Sequence, residues 1–233
     1  MIKTVLAGFL EDFVALIFPR YCLACYHSLL KGEDLICTPC MLEMPHTLFH
    51  LEKENPLKQR LIVRIPIAHA FAIFRFAKSS KVQKLLHELK YRQQPEVGVS
   101  LGRMYGEKLV GVGFERAWDL IVPIPLHPSR QRKRGYNQSQ KFAEGLSEKL
   151  GIPVSPDLVK RTHRTETQTR KSKRHRWENV QAVFELCKKD ELVGRKVLLV
   201  DDVVTTGATL EACAIVLLNG GCRELSVVCI AEA

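Results

Sequence analysis

The sequence contains no apolar run near the roughly 20 residues that a membrane-spanning helix needs, so no such span is expected. The first apolar positions (Ile2, Val5, Leu6, Phe9, Leu10, Phe13, Val14 and Ile17) fall on a helical stripe, and Glu11 and Asp12 interrupt any signal-peptide core. A docked amphipathic helix and a cytoplasmic location are the expectation. Acid is scarce: 25 Asp and Glu stand against 35 Lys and Arg, leaving a formal net charge of +10. Anionic partners follow, either a polyphosphorylated small molecule, nucleic acid, or both. There is no low-complexity tract apart from one basic run, and no internal repeat beyond two cysteine pairs. At 233 residues the chain suits one large domain with a small appendage.

Eight cysteines without a signal sequence point away from a disulfide framework. Four of them, Cys22, Cys25, Cys37 and Cys40, have the spacing C-x2-C-x11-C-x2-C. Two Cys-x-x-Cys turns can offer four thiolates to one tetrahedral Zn2+, leaving no open position for catalysis. Such a metal would organise a segment too small to bury its own core. A redox Cys-x-x-Cys pair is the competing reading. Lys31 to Asp34 should form a turn between the pairs. His27, His46 and His50 are not needed as ligands and read as surface residues. Cys187, Cys213, Cys222 and Cys229 lack metal spacing and read as small buried hydrophobes.

The rest of the chain is organised around residues 197–209. Val197, Leu198, Leu199 and Val200 show no polar alternation, as in a strand buried on both faces. Asp201 and Asp202 follow where the strand should leave the sheet. Val203, Val204, Thr205, Thr206, Gly207, Ala208 and Thr209 then lead into a helix expected over Leu210 to Leu218. A helix N-terminus suits a phosphate, Gly207 lets the backbone approach it, and the threonines add hydroxyl donors. Asp201 and Asp202 would meet sugar hydroxyls or a cation. Phosphate, diol and cation together describe a ribose phosphate.

Around this stretch, Ala68 to Ala77 reads as a strand or hairpin arm, and Val82, Leu85, Leu86 and Leu89 as a helical stripe. Further helices are expected over Gly98 to Val110 and Gln138 to Leu150, and strands over Asp119 to Ile124, Ala182 to Leu186 and Leu225 to Ile230. Glu52 to Pro56 looks like a linker, giving a small unit over 1–55 and a larger one over 56–233. Arg130, Arg132, Lys133 and Arg134 form a basic loop that can hold pyrophosphate, or a solvated basic turn. Lys160 to Arg176 is a second basic stretch with few apolar residues. It is either a lid over pyrophosphate or a footprint for nucleic acid, with Trp177 and Tyr136 as stacking surfaces or as partial core.

The hydrophobic strand, Asp-Asp and Thr-Thr-Gly-x-Thr resemble the phosphoribosyl pyrophosphate motif of type I phosphoribosyltransferases. The wider pattern resembles the ComF family, of the ComFC or GntX type. It includes Leu16 to Cys25, Leu89-Lys-Tyr91, Pro123 to His127, Arg134-Gly-Tyr-Asn-Gln138, Gln168, Arg176, Asn179 and Phe184. Lys171 departs from it, standing where the family usually has an apolar residue. The resemblance implies an α/β fold: a phosphoribosyltransferase-type parallel sheet flanked by helices, preceded by a zinc ribbon. It implies that Asp201 to Thr209 and Arg134 bind phosphoribosyl pyrophosphate with Mg2+, Asp201 and Asp202 being catalytic if transfer occurs. Gln168, Lys173, Arg174 and Arg176 would lie on a mobile loop. It implies natural competence, with single-stranded DNA and a helicase of the ComFA type as partners. Whether the family member is an enzyme stays open, and a transferase acting on a small acceptor unrelated to DNA is the alternative.

Overall fold

The computed structural model describes residues 17–162 and 183–233. The N-terminal stripe up to residue 16, and Arg164, Gln168, Arg170, Lys171, Lys173, Arg174, Arg176 and Trp177, lie outside the described residues. No helix among the described residues is long and apolar enough to cross a membrane.

A four-stranded sheet carries the molecule, in the order β1 (Ala70–Arg75), β6 (Glu224–Glu232), β5 (Lys196–Val204), β2 (Leu120–Pro123). Every pairing is parallel. Each strand is apolar on both faces because both faces are covered. Leu198 and Val200 of β5 enter one core, which includes residues of α3 (Lys81–Tyr91), α4 (Glu96–Gly111) and α6 (Gln138–Leu150). Val197 and Leu199 enter the other, with α2 (Pro56–Ile62) and α8 (Ala208–Asn219). This is the parallel sheet flanked by helices that the resemblance implies. A separate antiparallel pair joins β3 (Val159–Arg161) to β4 (Phe184–Leu186). The remaining helices are α1 (Thr38–Glu43), α5 (Pro128–Arg134) and α7 (Lys189–Leu192).

Of the two readings of Ala68 to Ala77 the strand holds, with residues 70–75 pairing parallel to β6. Two expectations change. The basic residues 130–134 form helix α5 instead of a loop. Pro128 sits in its first turn, the His127 side chain accepts from the Ser129 amide, and Gly135 ends it at φ +82°. The end of the 52–56 linker starts α2, with Asn55 accepting from the Lys58 amide and Pro56 following.

Helices α4 and α6 meet at bare backbone. A Cβ on Gly145 would lie 2.1 Å from the Val99 carbonyl oxygen and 2.8 Å from the Arg103 amide. One on Gly102 would lie 2.3 Å from the Phe142 carbonyl oxygen. Backbone cannot move aside as a flexible side chain can, and the interface is close-packed. Gly145→Ala should therefore destabilise the protein by about 3 kcal/mol, the upper end for overpacking. Urea denaturation measures this, and a change under ~0.5 kcal/mol would contradict the contact.

Candidate functional site

Parallel strands place all their carboxyl ends along one edge. The chain leaves β2 through α5 towards α6, whose core is on one face, and leaves β5 towards α8, whose core is on the other. Open parallel sheets bind their ligands at such a switch point, and Asp201 and Asp202 lie near this end of β5. Strand β5 does not end at Val200: pairing with β6 continues through Asp201, Val203 and Val204, so the acids are held by the sheet itself.

The two carboxylates have different surroundings. Asp201 Oδ1 accepts the Ser139 hydroxyl at 3.1 Å and the Asp202 amide at 2.8 Å. Ser139 lies in the first turn of α6. Asn137 caps that helix, accepting the Ser139 amide and donating to the Ile124 carbonyl oxygen at 2.9 Å. Burial, and then the neighbouring Asp202 carboxylate, push the Asp201 carboxyl up to about 7. Asp202 is instead paired, its Oδ2 lying 2.9 Å from Lys90 Nζ. Sequence reading quoted Lys90 without a role, because the contact joins the end of α3 to the end of β5.

The loop after β5 is open. Thr205, Thr206, Ala208 and Thr209 are exposed, and Gly207 takes φ +79° as the N-cap of α8. As N-cap, Gly207 brings no capping side chain, and the Ala208 amide meets the Thr206 hydroxyl only at a long 3.4 Å, which an anion at this helix start can displace. Arg64 steadies the loop by donating to the Thr206 carbonyl oxygen at 2.9 Å, and Leu61 of α2 packs beneath Gly207. These residues fit a phosphate: exposed hydroxyl donors, a positive helix end and a glycine N-cap.

Next to the acids lies a cavity of about 350 Å3 lined by Lys90, Tyr91, Gln93, Arg130, Lys133 and Arg134. No acid lines it. Arg134 is preset, its Nη1 donating to Gln138 Oε1 at 2.7 Å and its guanidinium lying 5.2 Å from the Tyr91 ring centroid. Tyr136 is half-buried and donates its hydroxyl to the Leu89 carbonyl oxygen, anchoring the end of α3. Arg161, expected as part of the second basic stretch, lies over the Phe184 ring at 5.4 Å. Burial lowers its pKa, Arg130 lowers it further, and Asp201 opposes both. The acids and these bases can hold a polyanion together with a cation. Mg2+ favours carboxylate oxygen, and Lys90 holds one of the two that Asp202 offers, Oδ2.

The second constellation lies at the N-terminal end. The ligand atoms of Cys22, Cys25, Cys37 and Cys40 all fall within 4.8 Å of one another. Cys25 and Cys37 sulfurs are 3.7 Å apart, close to the ~3.8 Å edge of a tetrahedron with metal–sulfur bonds near 2.3 Å. Amides of Ala24 and Cys37 donate to Cys22 Sγ at 3.4 and 3.3 Å. Burial raises the Cys22 thiol, but amide donors outweigh it and bring it down to about 7. Burial and the Cys25 and Cys37 thiols push Cys40 up to about 12. Crowded thiols resist ionising together, and a bound dication reverses that. The donor set fits a closed four-thiolate metal site. Only the first pair sits in an open turn, with Tyr26 at φ +63°. The second begins α1, with Cys37 as N-cap.

Other residues depart from the reading. His46 and His50 are half-buried, against Phe74 and Tyr105, not on the surface. Burial lowers both pKa values, and neither joins the cysteine cluster. Cys213 and Cys229 are buried and Cys222 partly so, whereas Cys187 is exposed. Glu33, expected only as part of a turn, accepts from the Leu30 amide and from the Thr38 amide and hydroxyl, tying the connecting loop to α1.

Residues 137–233 match the family model described as phosphoribosyl transferase domain. Competence protein F of Haemophilus influenzae is 40% identical over 116 residues, covering 49% of this chain and 51% of that protein. Competence protein ComFC of Bacillus subtilis is 33% identical over 102 residues, 44% of this chain and 39% of that one. The chain is similar to competence proteins of the ComF type. DNA utilization protein YhgH of Escherichia coli K12 extends the match: 29% identity over 211 residues, 86% of this chain and 85% of its relative. The matches to competence protein F and ComFC thus span about half and about two fifths of those relatives' lengths. The chain thus carries a phosphoribosyltransferase-like domain and resembles competence and DNA utilization proteins.

Proposed function

We propose that this chain is a ComF-type protein that binds phosphoribosyl pyrophosphate with Mg2+ at the carboxyl ends of β2 and β5, and that this binding serves the uptake or use of DNA. One observation carries the ligand assignment. An acidic pair and a glycine-capped, threonine-rich helix start share one strand end, beside a cavity lined by four bases. The amides and hydroxyls of Thr205 to Thr209 hold the 5′-phosphate, and Asp201 and Asp202 orient the ribose hydroxyls. Lys90, Arg130, Lys133 and Arg134 take the pyrophosphate. Mg2+, when bound, neutralises pyrophosphate charge. The four cysteines hold a structural Zn2+.

The printed names of the relatives, competence protein and DNA utilization protein, support the DNA half of the reading. So does the net charge of +10. Single-stranded DNA should bind in a salt-sensitive manner and weaken when Arg170, Lys171, Lys173 and Arg174 are neutralised. Affinity unchanged by that substitution would contradict it. The ligand is tested by thermal unfolding. Saturating phosphoribosyl pyrophosphate with Mg2+, at about 100 times Kd, should stabilise the chain by about 2.7 kcal/mol. Ribose 5-phosphate at the same concentration should stabilise it less, because it leaves the four bases unused. Equal shifts would separate the cavity from the site. A transferase reading stays in view through pyrophosphate release. The acceptor would be the nucleophile, and any general base would have to come from outside the cavity lining, such as Asp201 or Asp202.

A further inference from the structure

Asp202 does not line the basic cavity, but its partner Lys90 does. Lys90 comes from the last turn of α3, and its Nζ lies 2.9 Å from Asp202 Oδ2, with the two side chains 22% and 16% exposed. The backbone around Lys90 is fixed on both sides. The Tyr136 hydroxyl donates to the Leu89 carbonyl oxygen, and Arg134 lies over the Tyr91 ring. The lysine stem is free to re-aim where the backbone is not. Its ammonium has two destinations: the Asp202 oxygen, or the cavity that Lys90 lines with Arg130, Lys133 and Arg134.

An ammonium and a divalent cation compete for the same carboxylate oxygen. Leaving Asp202 bare would expose a part-buried charge, which is costly. Sending Lys90 permanently into the cavity would crowd it against three other bases with no anion between them. We propose that Lys90 is a built-in counter-ion. It holds Asp202 until Mg2+ arrives with a pyrophosphate-bearing ligand, and its ammonium then moves to the phosphates in the cavity. Lys90 is thus a positioning residue that couples metal and pyrophosphate, and it keeps Mg2+ alone out of the site. The proposal rests on the phosphoribosyl reading of this site.

Calorimetry on the full chain tests it, with Lys90→Met and Lys90→Gln as variants and unfolding curves confirming that each is folded. Lys90→Arg keeps the charge and serves as the folded control should both neutral variants unfold. Three probes are used: Mg2+ alone, inorganic pyrophosphate with Mg2+, and ribose 5-phosphate. Mg2+ alone should bind the neutral variants at least tenfold more tightly than the unmodified chain, and adding Asp202→Asn should abolish the gain. Lys90→Arg should exclude Mg2+ as lysine does. Pyrophosphate with Mg2+ should bind the neutral variants at least tenfold more weakly, while ribose 5-phosphate stays within twofold. Equal Mg2+ affinity with and without Lys90, no Mg2+ binding in either, or tighter Mg2+ binding to Lys90→Arg would overturn the proposal. Failure of the unmodified chain to bind ribose 5-phosphate would sink the phosphoribosyl reading instead. The Mg2+-alone comparison uses no ligand and still decides the place of Lys90.

Discussion

Asp201→Asn should yield a protein more stable than the unmodified chain at pH 8, yet about 100-fold weaker in binding phosphoribosyl pyrophosphate. The stability half follows from linkage. The Asp201 carboxyl is pushed from 3.8 to about 7 by burial and by Asp202, so the folded state keeps a proton that the unfolded chain releases. Below pH 4 both states are protonated and the group costs nothing. As pH rises from 4 to 7 stability falls, and above 7 the full cost of ionising a buried carboxyl is present, on the order of 4 kcal/mol. Asparagine removes that cost and keeps the geometry, since its oxygen can still accept from Ser139 and from the Asp202 amide. Urea denaturation at pH 4 and pH 8 should show no gain at the first and a gain of a few kcal/mol at the second. A variant no more stable at pH 8 would mean that Asp201 carries no such burden. The binding half expresses a familiar exchange, in which a site retains a costly charge because its ligand needs it.

Cys40→Ser should release the metal from the N-terminal cluster and unfold the segment around it. Four thiolates make a closed site, and a structural Zn2+ contributes about 10 kcal/mol or more of apparent binding free energy to folding. The damage should spread, because Cys22, Ala24, Cys37, Cys40 and Met44 share one core with Val82, Leu85, Leu89 and Tyr105. Metal analysis of protein purified without added zinc should fall from about one ion per chain to none, with a lower melting temperature. Cys187→Ser is the control, since Cys187 is exposed and outside the cluster. Loss of zinc with no change in melting would contradict a structural role. Absence of zinc from the unmodified protein would contradict the ion.

How far these sites were legible depended on whether the deciding contacts are local. The buried strand, the glycine-led helix start and the four-cysteine spacing lie within short stretches, and periodicity or spacing reveals them. The end of β5 was not legible. Asp201 and Asp202 look like a strand exit, yet backbone pairing with β6 carries the strand on to Val204. Residues 130–134 read as a loop because charge suggested solvation. The helix there is set by Pro128 in its first turn and Gly135 at its end. The partnerships of Lys90 with Asp202 and Ser139 with Asp201 join distant segments, and no local pattern announces them. His46 and His50 were misplaced for the same reason: their burial comes from Phe74 and Tyr105, on other elements.

The most direct test is a calorimetric titration of phosphoribosyl pyrophosphate with Mg2+ into the full chain and into Gly207→Val. A branched side chain at φ +79°, with Leu61 already 3.0 Å from where the Cβ would sit, closes the cradle from within. The account predicts one site per chain with a Kd of about 1–100 μM, about −8 to −5 kcal/mol, and binding weakened at least ~100-fold by the valine. No heat from the unmodified chain at millimolar ligand, or equal affinity in a folded Gly207→Val, would contradict it.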